Sequence, residues 1–191
     1  MCTPPKRLLV TGPPGVGKTT LITRVLENLK VSHPHLEVRG FYTRETREAG
    51  ERTGFEVVTV DGRSGTLASS LSGVGSNVWP KVGKYKVNVA GFEALALPEL
   101  EVNGPVGTEL FVIDEIGKME LFSSTFFPAV WAIFNSNAPV LASVPIPKYG
   151  RDIPEVARLR THAETKLYTL TKNSRDHVCV EVYDELKSIL N

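Results

Sequence analysis

Short apolar runs alternate along the chain with stretches in which apolar residues recur at helical spacing. Such runs predict buried strands over residues 7–11 and 110–113 and a further core strand over 139–144. Alternating apolar residues predict strands over 54–60 and 85–89, and two more strands are predicted over 38–43 and 166–171. After the first strand, helical spacing places one apolar face on Leu21, Ile22, Val25, Leu26 and Leu29. Strands that alternate with helices predict an α/β fold with three layers, in which a mainly parallel central sheet is flanked by helices.

Three further helices are predicted. One covers residues 92–100, and a second begins near Ser123 or Ser124 as its cap. The last helix follows Asn173 or Ser174 as its cap. The apolar positions of these last two helices are Phe126, Phe127, Val130, Trp131 and Phe134, and then Val182, Leu186, Ile189 and Leu190.

Polar composition marks an insertion between the two halves of the predicted core. Residues 44–52 are dense in charge and predict an exposed hairpin or lid, while residues 64–80 are rich in Ser and Gly and look the least ordered. Together with the neighbouring strands they predict a small antiparallel β-hairpin insertion at about 44–90. With 191 residues, we expect the whole chain, 1–191, to form a single domain around one core.

Charge and composition narrow the class of partner. The formal net charge is +1, so no obligatory nucleic-acid partner is expected, and no apolar run approaches membrane-spanning length. The chain enters its first strand without room for a signal peptide, so we expect a cytoplasmic protein, with the nucleus as the alternative. We also expect a monomer. Cys2 and Cys179 are interpreted as two unrelated thiols.

The chain matches the phosphate-binding motif G-x-x-x-x-G-K-[ST] between the first strand and the first helix, so we expect the single domain to have the P-loop NTPase fold. The nucleotide-binding residues predicted there are Gly12, Pro13, Pro14, Gly15, Val16, Gly17, Lys18, Thr19 and Thr20. In such a loop the backbone N–H groups turn towards phosphate oxygens, and the following helix adds its N-terminal dipole. We expect Lys18 to contact the β and γ phosphates and the Thr19 hydroxyl to bind Mg²⁺.

A second part of the site is predicted where the apolar strand at 110–113 ends in two acids. An apolar strand ending in Asp is the Walker B pattern, and it predicts Asp114 as a Mg²⁺ ligand opposite Thr19. On strand geometry the neighbouring Glu115 points away from Asp114, which suits a residue that activates or positions water. A water-directed acid predicts hydrolysis.

Phosphoryl transfer also requires a cation on the transferring group. Five cations lie in predicted loops at the same sheet edge, and Lys118 and Arg175 are favoured, the first because it lies close to Glu115 and the second because it starts a helix. The other three are Arg44, Arg47 and Lys148. Among the aromatic residues, Phe41, Tyr42 and Tyr85 suit either stacking on a base or packing in the sheet core.

Taken together, the motifs resemble those of the cancer-related nucleoside-triphosphatase family and its thermophilic members. The matching segments are 12–20, 40–45, 54–55, 112–121 and 171–176, and the block Asp-Glu-Ile-Gly-Lys-Met-Glu at 114–120 is the most distinctive. The resemblance implies slow, Mg²⁺-dependent hydrolysis of nucleoside 5′-triphosphates (ATP, GTP, CTP and UTP) to diphosphate and phosphate. It also implies a second nucleotide-binding segment formed by Leu110, Phe111, Val112, Ile113, Asp114, Glu115, Ile116 and Gly117. Residues 64–80 and 161–166 match the family least.

Two other functions remain open from the sequence. Phosphate loops on chains of this size also occur in small-molecule and nucleotide kinases, although no arginine-rich lid is evident here. The other alternative is a nucleotide-dependent regulatory switch whose conformation a partner protein reads. Strand order discriminates further, because a strand between 7–11 and 110–113 is typical of the additional-strand ATPases that use a catalytic glutamate.

Overall fold

One sheet of nine strands runs through residues 5–71, 78–104 and 107–191, the part of the chain that the computed structural model describes. The strands are β1 (Arg7–Gly12), β2 (Val38–Glu48), β3 (Glu51–Thr59), β4 (Ser64–Ser69), β5 (Lys81–Val82), β6 (Tyr85–Val87), β7 (Leu110–Ile113), β8 (Val140–Pro145) and β9 (Thr165–Thr169).

Helices cover both faces of this sheet. They are α1 (Lys18–Ser32), α2 (Val89–Glu99), α3 (Phe126–Phe134), α4 (Pro154–Arg160) and α5 (Arg175–Leu190), with a short 3-10 helix at Glu120–Phe122. The apolar faces of α1 and α5 share one buried cluster with the sheet, and those of α2, α3 and α4 share the other. None of these helices in the described ranges combines the length and apolar character needed to cross a membrane.

Strand order divides the sheet into two parts. The order is β5-β6-β4-β3-β2-β7-β8-β1-β9, with parallel pairing from β2 to β9 and antiparallel pairing from β2 to β5. Strand β8 lies between β1 and β7, which is the order expected of the additional-strand ATPases. As a result, the carboxyl ends of β1, β7 and β8 meet at one edge, the usual place for a ligand in a parallel sheet.

Strand β4, the two-residue strand β5, the short 3-10 helix and helix α4 differ from the sequence-based expectations. Residues 64–69, predicted to be poorly ordered, form β4, because Leu67 and Ala68 are buried against the core despite their polar surroundings. Helix α4 was not predicted, since it is only seven residues long and its apolar face is reduced to Val156 and Leu159. Residues 72–77 of the Ser/Gly-rich stretch and Cys2 lie outside the described residues.

The predicted helix caps are also rearranged. Helix α3 begins at Phe126, whose N–H donates to the Ser123 hydroxyl at 3.2 Å. Ser174 precedes α5 as predicted, but its hydroxyl accepts a hydrogen bond from the N–H of Thr171 at 3.0 Å instead of capping the helix. Each serine therefore organises the turn in front of its helix.

Candidate active site

The phosphate loop connects β1 directly to α1. Its path requires left-handed backbone at Gly15, with φ of 74°, and at Gly17, with φ of 107°. Side chains with a Cβ rarely adopt these angles, so glycine is needed at both positions. Val16, between them, is buried under the loop, while Pro13 and Pro14 are exposed.

Lys18 connects this loop to Glu115, one of the two acids that follow β7. Its Nζ donates a hydrogen bond to the carbonyl of Gly12 at 3.2 Å and lies 3.3 Å from Oε2 of Glu115. Only 11% of the Lys18 side chain is exposed, compared with 29% for Glu115. The Lys18 ammonium is thus held at the mouth of the loop beside a carboxylate.

Asp114 is the buried centre of a second group of polar side chains. The Thr19 hydroxyl donates to its Oδ2 at 2.7 Å, and the Ser143 hydroxyl donates to its Oδ1. Burial raises the pKa of the Asp114 carboxyl, whereas the hydrogen bonds from Ser143 and Thr19 oppose that rise. The two hydroxyls therefore favour the ionised form of a carboxylate that is 1% exposed.

Asp114 and Glu115, which are joined by a cis peptide bond, both follow the end of β7 at Ile113. The prediction that their side chains point in opposite directions assumed that both residues lie within the strand, and β7 ends before them. Asp114 contacts Thr19, and Glu115 contacts Lys18, so the two acids serve neighbouring positions along the phosphate loop.

Five of the eight residues in the predicted nucleotide-binding segment 110–117 have side chains that are buried in the core. The side chains of Leu110, Phe111, Val112 and Ile113 are buried in the two core clusters, and Ile116 is fully buried as well. Within the described residues, the polar side chains of this predicted nucleotide-binding segment are those of Asp114 and Glu115.

Arg175 is the favoured cation that lies beside the phosphate loop. A Cβ at Gly17 would meet its Cδ at 4.0 Å, so the aliphatic part of the side chain runs next to the loop. Lys118 is exposed in the turn after Gly117. Within the described ranges, Arg175, Lys118 and Lys148 form no ion pair.

The remaining candidates are used elsewhere. Arg44 pairs with Glu56 at 2.7 Å and Arg47 pairs with Glu45 at 2.8 Å, both on the exposed β2–β3 hairpin. Two of the aromatic candidates belong to the core. Phe41 is fully buried against Phe92 and Phe126, and Tyr85 packs on Phe55.

Three residues at this edge were not assigned a role from the sequence: Ser143, Glu120 and Arg160. The signal for Ser143 was a hydroxyl inside the apolar run of β8, and that for Glu120 was an acid among apolar neighbours. The sequence carried no signal for Arg160, because α4 was not predicted. It donates to the Thr11 hydroxyl at 3.2 Å and to the carbonyl of Pro145, tying the ends of β1 and β8 together.

Glu120 is a buried carboxyl directly behind Glu115. It is 5% exposed, and its Oε2 accepts a hydrogen bond from the N–H of Gly117 at 3.2 Å. Burial, followed by the charges of Glu115 and Asp114, raises the pKa of Glu120 to about 8. Near neutral pH it is therefore mostly the uncharged acid.

The chain is similar to known proteins over nearly its whole length. A family model described as NTPase matches residues 7–183. The cancer-related nucleoside-triphosphatase homolog of Bos taurus is 42% identical, and the match covers 96% of this chain and 97% of that protein. The solution structure of a human cancer-related nucleoside triphosphatase has a TM-score of 0.79 at 39% identity, covering 96% of this chain and 98% of the other. The crystal structure of THEP1 from Aquifex aeolicus has a TM-score of 0.77 at 33% identity, covering 95% and 99%.

Proposed function

Since the chain belongs to the nucleoside-triphosphatase family, we propose that it is a Mg²⁺-dependent hydrolase that converts nucleoside triphosphates to diphosphate and phosphate. The family resemblance in the sequence motifs and the predicted α/β fold are both confirmed. The proposal includes slow turnover and tolerance of several bases, as the resemblance implies.

One observation carries the proposal: the Glu115 carboxylate lies 3.3 Å from the Lys18 ammonium, next to the hydrogen-bonded pair of Thr19 and Asp114. Lys18 is the cation of the phosphate loop, so Glu115 lies where the terminal phosphate of a bound nucleotide is expected. An acid at that place is suited to orient a water molecule and to accept its proton.

The residues present fit a magnesium ion. The Thr19 hydroxyl and the Asp114 carboxylate are hard oxygen donors 2.7 Å apart at the start of α1. The described part of the chain contains no group of three or more His, Cys, Asp or Glu side chains able to hold a metal. The oxygens of Thr19 and Asp114 suit Mg²⁺, which is commonly bound by one or two protein ligands together with substrate phosphates and water. When bound, the ion neutralises charge on the phosphates.

The protein's own groups divide the remaining work. Phosphate oxygens compete with Glu115 for Lys18, so nucleotide binding leaves the Glu115 carboxylate available to a water molecule. The developing negative charge on the transferred group then requires a second cation. Arg175, beside Gly17, and Lys118, after Gly117, are proposed for this role.

Tolerance of several bases is supported by the part of the nucleotide that the site's side chains are placed to contact. Lys18, Thr19, Asp114 and Glu115 all lie at the phosphate end of the site, and two of the three aromatic candidates for base stacking are in the core. Binding energy directed at the triphosphate discriminates little between bases.

Phosphate release from a panel of nucleoside triphosphates tests the proposal, with Mg²⁺ and without an acceptor. We expect slow release from several of them, and a loss of at least about 100-fold in kcat for Glu115→Gln with nucleotide binding retained. Glu27→Gln, an exposed acid on α1, is the matched control and should behave as wild type.

Other results would favour the alternatives. If phosphate is transferred only when an acceptor is added, the protein is a kinase. Release that depends on a partner protein would indicate a regulatory switch. Undiminished hydrolysis by Glu115→Gln would remove the proposed role of that residue.

A further inference from the structure

Glu120 is a buried ionisable side chain that the reaction scheme above leaves without a role. It begins the 3-10 helix at Glu120–Phe122, and its backbone is set by the turn that follows Glu115. In that turn the N–H of Ile116 donates to the carbonyl of Ser143 at 2.9 Å, and the N–H of Leu121 donates to the carbonyl of Gly117 at 3.0 Å. The turn is therefore fixed to β8 on one side and to the 3-10 helix on the other.

The carboxyl groups of Glu120 and Glu115 meet over the Cα of Gly117. A Cβ at Gly117 would lie 2.8 Å from Oε1 of Glu115 and 3.1 Å from Oε2 of Glu120. Both oxygens thus border one point in space that only a glycine leaves open. Glu120 reaches this point from the buried side, and Glu115 from the side that faces Lys18.

We propose that Glu120 is a positioning residue that acts through Glu115. By accepting the Gly117 N–H and filling the space behind the turn, it confines the Glu115 carboxylate to the side that faces Lys18. The inference rests on the proposed function, because it assigns Glu120 a part in setting the water-directed acid.

The charges of the site are consistent with this role. A carboxylate behind Glu115 would repel it, whereas an uncharged acid fills the same space without repulsion. The raised pKa of Glu120 corresponds to that uncharged form at neutral pH, and Lys18 keeps Glu115 beside a positive charge. The carbonyl oxygen of the neutral acid still accepts the Gly117 N–H, and an amide oxygen would do so equally well.

Two substitutions in the full chain test the inference by steady-state phosphate release. Glu120→Gln keeps the shape, the acceptor and the uncharged state, so kcat should stay within about threefold of wild type. Glu120→Ala removes the support, and kcat should fall about tenfold or more while KM and the Kd for a nonhydrolysable nucleotide change less than about threefold. If Glu120→Ala does not fold, Glu120→Asp shortens the same acid and should lower kcat with the same pattern.

Ser123→Ala is the matched structural control. Ser123 is also buried, lies just after the 3-10 helix, and contacts Glu93 and the N–H of Phe126 rather than Glu115. It should lower the urea midpoint of unfolding and leave kcat unchanged. A fall in kcat for Ser123→Ala equal to that for Glu120→Ala would show that general loosening of the segment explains both, and would overturn the inference.

The double variant Glu115→Gln/Glu120→Ala separates this inference from the proposed function. If Glu120 acts through Glu115, the double variant should be no slower than Glu115→Gln alone. An added tenfold loss in the double variant, wild-type kcat in Glu120→Ala, or equal losses in Glu120→Gln and Glu120→Ala would each overturn the inference. Failure of Glu115→Gln to slow hydrolysis would instead refute the proposed role of Glu115, whatever the Glu120 variants do.

Discussion

Gly117→Ala offers a direct test of how closely Glu115 must be placed. The added Cβ would lie 2.8 Å from Oε1 of Glu115, and an ordinary contact between such atoms is about 3.4 Å or longer. The same Cβ would lie 3.1 Å from Oε2 of Glu120, so we expect the end of the Glu115 side chain to move by roughly 0.6 Å and the end of the Glu120 side chain by roughly 0.3 Å. Gly117 is not among the residues with positive φ, so alanine suits the backbone there.

The expected cost falls on turnover and not on folding. A misplacement of about 1 Å in an active site lowers the rate by about 100-fold, so a shift of roughly half that size predicts a fall of about tenfold in kcat. Nucleotide binding should be retained, because the three atoms nearest to the new methyl group belong to Glu115 and Glu120 and not to the phosphate loop. Alanine also restricts the unfolded chain, which limits the change in the free energy of unfolding to about 1 kcal/mol.

The assay is steady-state phosphate release with kcat and KM resolved, together with nucleotide binding and urea unfolding. Gly65→Ala, on β4, is the matched control. Its added Cβ would also lie 2.8 Å from the end of a flexible side chain, the Cδ1 atom of Leu95. It should keep the wild-type kcat. Wild-type kcat in Gly117→Ala would refute the argument that Glu115 needs its present position, and parallel losses of kcat and nucleotide binding would point to damage of the whole site.

Three further results are expected. Lys18→Ala should lose nucleotide binding measured by equilibrium titration, since it removes the cation facing the phosphates, whereas unaltered affinity would contradict that role. Ser143→Ala removes a hydrogen-bond donor to Asp114, which raises the pKa of that carboxyl further. The acid limb of the pH profile of kcat/KM should therefore move to higher pH, and an unmoved limb would contradict the role of Ser143. The pKa of Glu120 rises from 4.5 to about 8 on folding. Between these pH values the native protein keeps a proton that the unfolded chain releases, so the free energy of unfolding should fall as the pH rises through that interval. Urea midpoints across that range should fall less steeply in Glu120→Gln, and equal slopes would refute the assignment.

The elements that the sequence predicted are those with a clear local pattern of apolar residues. The strands β1, β7 and β8 were predicted because each is a short and mainly apolar run, and α1 because its apolar spacing extends over several turns. Strand β4 was missed because its polar residues obscure the buried Leu67 and Ala68. Helix α4 was missed because seven residues carry too little periodicity to be recognised.

The candidate site shows the same division. The phosphate loop from Gly12 to Thr19 and the acids Asp114 and Glu115 were named from local patterns, since each needs only a strand end and its neighbours in sequence. Ser143 and Glu120 carried too weak a local signal for a role to be assigned. Their importance arises from burial next to residues distant in the chain or folded back across a turn.

By itself, the sequence determined that the chain has an α/β fold, a phosphate loop and an acidic strand end, because all three are written in local periodicity and motif spacing. Only the tertiary structure decided that β8 lies between β1 and β7, that Lys18 meets Glu115, and that Ser143 holds Asp114. Strand order and burial depend on contacts between distant segments, and these contacts are what turn two separate motifs into one site.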